Sequence, residues 1–329
     1  MKVMKHLTLI LPLTLILLLA VSPALINEYD GEALLPHVLT STDYSLCLAS
    51  GALLSLGLMA WQQRKGQIRT WAFALIAVPL ALICGRLGFC LARFGFFFHS
   101  DKWREIFSLT QGGYLLYGAV FGAVAASALY SKLSKVPRMQ VLDAAAVPGL
   151  LLIAFARFAE FFSAEGRGDY VDEGFFPLVI NDAWGYGQLA VFVWEGVVAL
   201  LLMLAVLKTC KEGKGAFMLA LVLYACCQVV LESLREDSCP RFGFVRVNQV
   251  LSAAIVLCVT AWRAFHTLTK GKAWLRTLLC VAFLAVIGIM EWGLDKLNIS
   301  NWILYGIMIL FSALMAFNCL KLKPAPAKA

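Results

Sequence analysis

The chain has 329 residues, of which 61% are hydrophobic and only 15% charged, and its mean hydropathy is +0.81. A water-soluble domain of this size needs more charge to cover its surface, so the composition excludes a soluble globular protein and implies a polytopic helical membrane protein. The formal charge of +8 does not point to nucleic acid, because the basic residues fall where membrane topology puts them.

A membrane-crossing helix needs about 20 apolar residues. Ten stretches qualify: 7–26, 44–61, 70–97, 113–131, 140–163, 188–207, 215–234, 248–265, 274–293 and 301–320. The first follows Lys2 and Lys5 and ends near Pro23. It fits a signal peptide, but its length favours an uncleaved helix. Alternate connectors are basic, with Arg64, Lys65 and Arg69, then Lys132, Lys135 and Arg138, then Lys208, Lys211 and Lys214, then Arg263, Lys270, Lys272 and Arg276, then Lys321, Lys323 and Lys328. The others carry acids, among them Glu28, Asp30, Asp101, Glu105, Glu165, Asp169 and Asp172. The positive-inside rule then predicts both termini in the cytoplasm. Ten cysteines are present without a CxxC pair, so neither a metal site, nor a redox cofactor, nor a disulfide framework is expected.

Some basic residues break the trend. Arg86 lies in the third span, Arg157 ends the fifth, Arg235 ends the seventh and Arg246 follows it, all toward the outer side of the membrane. Charge inside a span is expensive, and arginine stays charged when buried and binds phosphate through two donors. Together these residues suggest a site for an anionic lipid head group. For each alone, snorkelling or a structural ion pair explains it as well. Glu160 stands three residues after Arg157, and Glu232 three before Arg235, each on a shared helix face. Glu195 lies inside the sixth span with Gln188 two turns before it. The 163–187 loop, with Trp184 and Tyr186, is expected either to cap the site or to be a plain surface loop.

Several segments resemble the phosphatidylglycerol–prolipoprotein diacylglyceryl transferase family. Its signature, Gly-Arg-x-(Gly/Ala)-Asn-Phe-aliphatic-Asn-x-Glu-x-x-Gly, is kept at Arg157, Ala159, Phe161, Phe162, Glu165 and Gly168, while Ala156, Glu160 and Ser163 depart from it. Asp143 and Pro148 resemble the lead-in to that signature. Cys84-Gly85-Arg86-Leu87 is similar to Gly-Ala-Arg-Leu. Gln188-Leu189 with Glu195-Gly196, Tyr224 with Glu232 and Arg235, and Gln249 with Ser252 match further family segments in order. Gly113 to Ala119 stands where the family has Gly-x-x-x-His-Gly-Gly: Gly113 and Gly118 are kept, and Tyr117 replaces the histidine. Gln228 stands in place of an arginine, and Glu160 in place of an asparagine.

The resemblance implies an all-α bundle with a seven-helix core over 41–266; the N-terminal helix (or signal peptide) and outer segment over 1–40 and the helix pair and tail over 267–329 are additions to that core. It implies transfer of a diacylglyceryl group from phosphatidylglycerol to the lipobox cysteine of a preprolipoprotein signal peptide, at the extracytoplasmic face of a bacterial inner membrane, without cofactor or nucleic acid. Candidate catalytic residues are Arg157, Glu160, Tyr117 and Tyr224. Candidate phospholipid-binding residues are Arg86, Arg157, Arg235, Glu232, Gln228, Arg246 and Gln249. Gly113, Gly118, Glu165, Gly168, Gln188 and Glu195 are expected to line the site. The four histidines, at 6, 37, 99 and 266, supply no replacement for the motif histidine. Glu160 is either the thiol base or the ion-pair partner of Arg157. A divergent paralogue that binds or moves anionic lipid, or modifies another acceptor, is the alternative.

Overall fold

The structure is a computed structural model. It describes residues 34–64, 66–99, 103–107, 113–163, 165–171, 176–181, 186–210, 213–236, 240–297 and 300–322. The expected first span at 7–26, His6, the loop residue Trp184 and the tail lie outside them. Among the described residues the chain is all-α apart from two very small sheets, and nine helices are long and apolar enough to cross a membrane. They answer to the nine later spans read from the sequence.

In order the nine are α1 (Leu34–Gln62), α2 (Thr70–Ala92), α4 (Leu116–Ser134), α5 (Arg138–Ala159), α6 (Val191–Thr209), α7 (Ala216–Leu231), α8 (Val247–Thr267), α9 (Lys270–Lys296) and α10 (Asn301–Leu320), with a tenth, six-residue helix, α3 (Phe94–His99), after α2. By contacts the chain divides into two units, meeting at Phe217 and Met218. That division falls elsewhere than the 266/267 boundary drawn from the sequence, because residues of α7 and α8 share a core with α9 and α10.

The first unit is built on close helix approaches. A β-carbon at Gly118 of α4 would lie 2.5 Å from the Cys84 carbonyl oxygen, and one at Gly122 would lie 2.4 Å from that of Leu80. The two glycines are one turn apart, so α2 and α4 touch backbone to backbone. Small residues permit this contact, which matters where no hydrophobic driving force separates helix from lipid. Gly51 of α1 likewise meets Phe155 of α5, and Gly196 of α6 meets the Phe158 ring. At one end Phe73 stacks edge-on against Tyr130 at 5.7 Å, and the Tyr130 hydroxyl accepts the Arg69 N–H at 2.8 Å. Asp143 of α5 accepts the N–H groups of Gly215 and Phe217, each at 3.0 Å. A carboxylate is favoured there, because the N–H groups of a first helical turn have no partner within the helix.

Between α5 and α6 the chain forms β1 (Tyr170–Val171), β2 (Val179–Asn181) and β3 (Gly187–Leu189), in the antiparallel order β1-β3-β2. The sixth span was expected to begin at 188. The structure corrects this: Gln188 is in β3 and the helix begins at Val191.

In the second unit, Val222, Cys226 and Val229 of α7 pack with Val256 of α8, Cys280 and Ile287 of α9, and Met308 and Met315 of α10. Two polar contacts cross between its helices: Ser312 donates to the Cys226 carbonyl at 2.5 Å, and Arg276 donates to Asn318 Oδ1 at 2.8 Å. β4 (Arg241–Phe242) and β5 (Val245–Arg246) form a hairpin ahead of α8.

Candidate active site

The end of α5 is shaped by its last residues. After Ala159 the helix tightens into a 3₁₀ turn over Glu160–Phe162. Ser163 stops it, donating both its N–H (3.0 Å) and its hydroxyl (3.1 Å) to the Glu160 carbonyl, and its hydroxyl accepts the Glu165 N–H at 3.2 Å. This places Arg157 and Glu160 on one face. Arg157 Nη1 lies 2.7 Å from Glu160 Oε1, and Arg157 Nε lies 3.2 Å from Glu195 Oε2. One guanidinium is thus held by two carboxylates from two helices. The Glu195 side chain is 0% exposed and that of Glu160 is 11% exposed. A charge this deep persists only when paired.

Gly166 (φ +74°) closes the cluster, because a β-carbon there would lie 2.1 Å from Glu160 Oε2. Its carbonyl accepts the Phe192 N–H at 2.8 Å, and Gly168 N–H donates to the Leu189 carbonyl at 2.8 Å. These bonds tie the signature loop to the start of α6. Arg167 Nη1 reaches Gln188 Oε1 at 3.3 Å, so Gln188 serves the loop from the sheet and does not lie on the helix with Glu195. Glu165 is half-buried beside them.

Arg86 belongs to a different cluster. It is 4% exposed and donates to the carbonyls of Ile106 (3.2 Å), Gly113 (3.2 Å) and Glu105 (2.6 Å). Its guanidinium also lies over the Phe89 and Phe97 rings, at 5.9 and 5.7 Å. Gly113 (φ +75°) lies so near Phe89 that a β-carbon would meet the ring at 2.5 Å. These contacts make Arg86 a clasp on the segment that leads into α4. Tyr117, buried in the first turn of α4, and Gly118 follow directly. Tyr114 stands before the span: burial pushes its phenol above the ordinary value, and the Arg86 charge pulls it back in part.

The remaining candidates lie in the second unit and form a network of their own. Here too a span ends in a 3₁₀ turn at a buried glutamate, over Glu232–Leu234. Gln228 Nε2 and Asn248 Nδ2 both donate to Glu232 Oε1, at 2.9 and 2.8 Å. Gln249 donates to the Val229 carbonyl at 3.0 Å, and its Oε1 accepts the Arg246 N–H at 3.0 Å. The Arg246 guanidinium donates to the Arg235 carbonyl. Tyr224 is buried two turns before Glu232. Asn248 is the member that the sequence reading missed; the signal available was an amide directly before Gln249 in the first turn of an apolar helix.

Among the described residues no group of His, Cys, Asp or Glu is arranged to hold a metal. His266 bonds the Trp262 carbonyl of its own helix, and the side chains of His37 and His99 lie outside the described residues.

A model of the prolipoprotein diacylglyceryl transferase family matches residues 35–265. The chain is similar to the phosphatidylglycerol–prolipoprotein diacylglyceryl transferase of Bacillus licheniformis, with 28% identity over 246 residues, covering 70% of this chain and 89% of the relative. The enzyme of that name from Clostridium novyi is 26% identical over 227 residues, covering 65% and 87%. The one from Streptococcus pneumoniae is 28% identical over 225 residues, covering 65% and 85%. The matched span takes in the whole Arg157 cluster and the Glu232 network, and with it the chain belongs to the prolipoprotein diacylglyceryl transferase family.

Proposed function

We propose that the protein transfers the diacylglyceryl group of phosphatidylglycerol to the lipobox cysteine thiol of a preprolipoprotein signal peptide. The observation that carries this reading is the guanidinium of Arg157, fixed between two carboxylates at the end of a membrane span in a chain of this family. In the reaction the thiolate sulfur forms a bond to the glyceryl carbon, and the bond from that carbon to the phosphate oxygen breaks. The electron pair leaves on the phosphate as glycerol 1-phosphate, and the thiol proton passes to a base.

Arg157 offsets the charge that grows on the departing phosphate. Glu195, fully buried, holds the guanidinium plane. Glu160 is the more accessible carboxylate, so it is the one to take the thiol proton. Tyr117 orients substrate near α4. In the second unit Tyr224, Gln228, Glu232, Arg235, Arg246 and Gln249 form the phospholipid-binding set, and Gln228, which stands where the family pattern has an arginine, donates to Glu232. Arg86 contributes by ordering the segment before Tyr117. Residues 41–266 are the catalytic module, and the 267–329 pair buttresses it. The site faces the extracytoplasmic side of the inner membrane, with both termini cytoplasmic, in keeping with the basic connectors.

The test is release of glycerol phosphate by purified protein given phosphatidylglycerol vesicles and a lipobox peptide. Wild-type release, lost in Arg157→Ala, supports the reading. Equal release by that variant overturns the site. No release by wild type, with failure to rescue cells depleted of their ordinary transferase, favours a paralogue that only binds anionic lipid, as the changes at Tyr117, Glu160 and Gln228 would allow.

A further inference from the structure

Among the described residues β2 is an unpaired edge of the three-stranded sheet, near the Arg157 cluster. Leu189 accepts from Gly168 N–H and donates to the Asp169 carbonyl, at 2.8 and 3.0 Å, so both its main-chain groups turn toward the β1 side. Leu189 is opposite Val179 in the register, and Gly187 is opposite Asn181. In an antiparallel pair the main-chain groups of successive residues alternate sides. The Ala190 N–H donates to the Leu178 carbonyl at 2.9 Å, which agrees with this phase. The N–H and C=O groups of Val179 and Asn181 therefore point away from β3. Among the described residues no strand pairs with β2 on that side.

Along this edge runs an open cleft of about 450 Å³, lined by Phe161, Phe176, Val179, Ile180 and Asn181. The Phe161 ring stands edge-on to Phe176 at 6.3 Å and to Phe192 at 6.2 Å. Phe161 is the residue after Glu160, and Phe192 packs against Gly166, which covers the Glu160 carboxylate. The cleft thus adjoins the catalytic cluster through the Phe161 and Phe192 rings.

Three occupants have different chemistry. A phosphate head group brings charge, and the cleft lining has none. An acyl chain fits the rings but leaves the outward N–H and C=O groups without partners. An extended apolar peptide uses both, through main-chain bonds to the strand edge and a side chain in the cleft.

We infer that β2 is a strand-addition site for the acceptor peptide. A short extended segment beside the acceptor cysteine pairs with Val179 and Asn181, and one of its apolar side chains enters the Phe161–Phe176 cleft. The inference rests on the transferase reading for the identity of the peptide. It makes the sheet the element that presents the thiol to Glu160.

The experiment uses full-length protein in phosphatidylcholine nanodiscs. The probe is a fluorescent preprolipoprotein signal peptide with its lipobox cysteine replaced by serine, so that it binds without reacting. A series of peptides, each with one N-methylated amide near that position, is compared by anisotropy. Strand addition predicts that methylation at every second amide weakens binding about tenfold, the loss of one or two main-chain hydrogen bonds, and leaves the intervening positions unchanged. Phe176→Ala, at an exposed ring, is expected to weaken peptide binding and to raise KM for the unmodified peptide severalfold at unchanged KM for phosphatidylglycerol. Binding without the two-residue period, or with wild-type affinity in Phe176→Ala, overturns the proposal. Turnover without that period sinks the strand site and leaves the transferase reading; period-two binding without turnover does the reverse.

Discussion

Gly166 lies so close to Glu160 that a β-carbon on it would stand 2.1 Å from the carboxylate oxygen and 2.7 Å from Phe192 Cβ. Its φ of +74° is in the left-handed region, which costs an alanine about 1–2 kcal/mol before any clash. Gly166→Ala is therefore expected to push Glu160 off Arg157 and lower glycerol phosphate release by about tenfold or more, a loss of transition-state stabilisation of the size expected for a displaced charged partner. Wild-type turnover in this variant would show that Glu160 needs no such lid of backbone.

Arg157 meets Glu160 through Nη1 and Glu195 through Nε. A lysine carries the charge but cannot span two carboxylates with a planar fork. Arg157→Lys should fold and lose about 100-fold in kcat/KM, as when a single fixed donor to a developing anion is removed. Arg157→Ala should also destabilise the protein by about 3–5 kcal/mol, since it leaves buried carboxylates without their partner. Thermal unfolding in detergent beside the transfer assay separates the two effects.

Gly118 and Gly149 are both helix residues but differ in their surroundings. A β-carbon at 118 meets the Cys84 carbonyl at 2.5 Å, and one at 149 meets nothing within 4 Å. Gly118→Ala is expected to lower the melting temperature by several degrees by prying α4 from α2. Gly149→Ala should leave it unchanged or raise it, helix glycine being worse than alanine by about 1 kcal/mol. Equal effects at the two positions would contradict the backbone contact between α2 and α4.

Glu232 Oε1 accepts from Gln228 and from Asn248 together. Donors sharing one acceptor are energetically linked. A double-mutant cycle with Gln228→Ala and Asn248→Ala should give a coupling of about 0.5–3 kcal/mol in unfolding free energy. Simple additivity would mean that the two amides act independently.

Much of this was written in the sequence because the membrane makes polar residues costly. Arg157 with Glu160 stands out as a charged pair at helical spacing in an apolar run. Glu232 with Arg235 reads the same way, but the helix tightens into a 3₁₀ turn at Glu232 and Arg235 falls in extended backbone beyond it, off the shared face. The nine described spans followed from length and hydropathy. Other parts were hidden for a physical reason. Glu195 was visible as a buried acid, but its partner is set by how α6 packs on α5, which no local pattern records. Gln188 read as helix because an apolar run continues past it, yet pairing with β1 and β2 decides its state. Arg86 carried the expected charge, but it meets loop carbonyls, and a carbonyl has no signature in a side-chain sequence. Asn248 was overlooked beside a better matching Gln249.

The three strands are two or three residues each, too short to be stable as an independent sheet. Their order is borrowed from the two spans they join, through the bonds of Gly168, Ala190 and Phe192. The distance between those spans is set lower down, where Gly196 lets the Phe158 ring come in to 2.3 Å from a would-be β-carbon. A bulkier residue at 196 would act as a wedge under a hinge-less arch. Its effect would be felt two strands away, in the spacing that the ends of the two spans lend to the sheet between them.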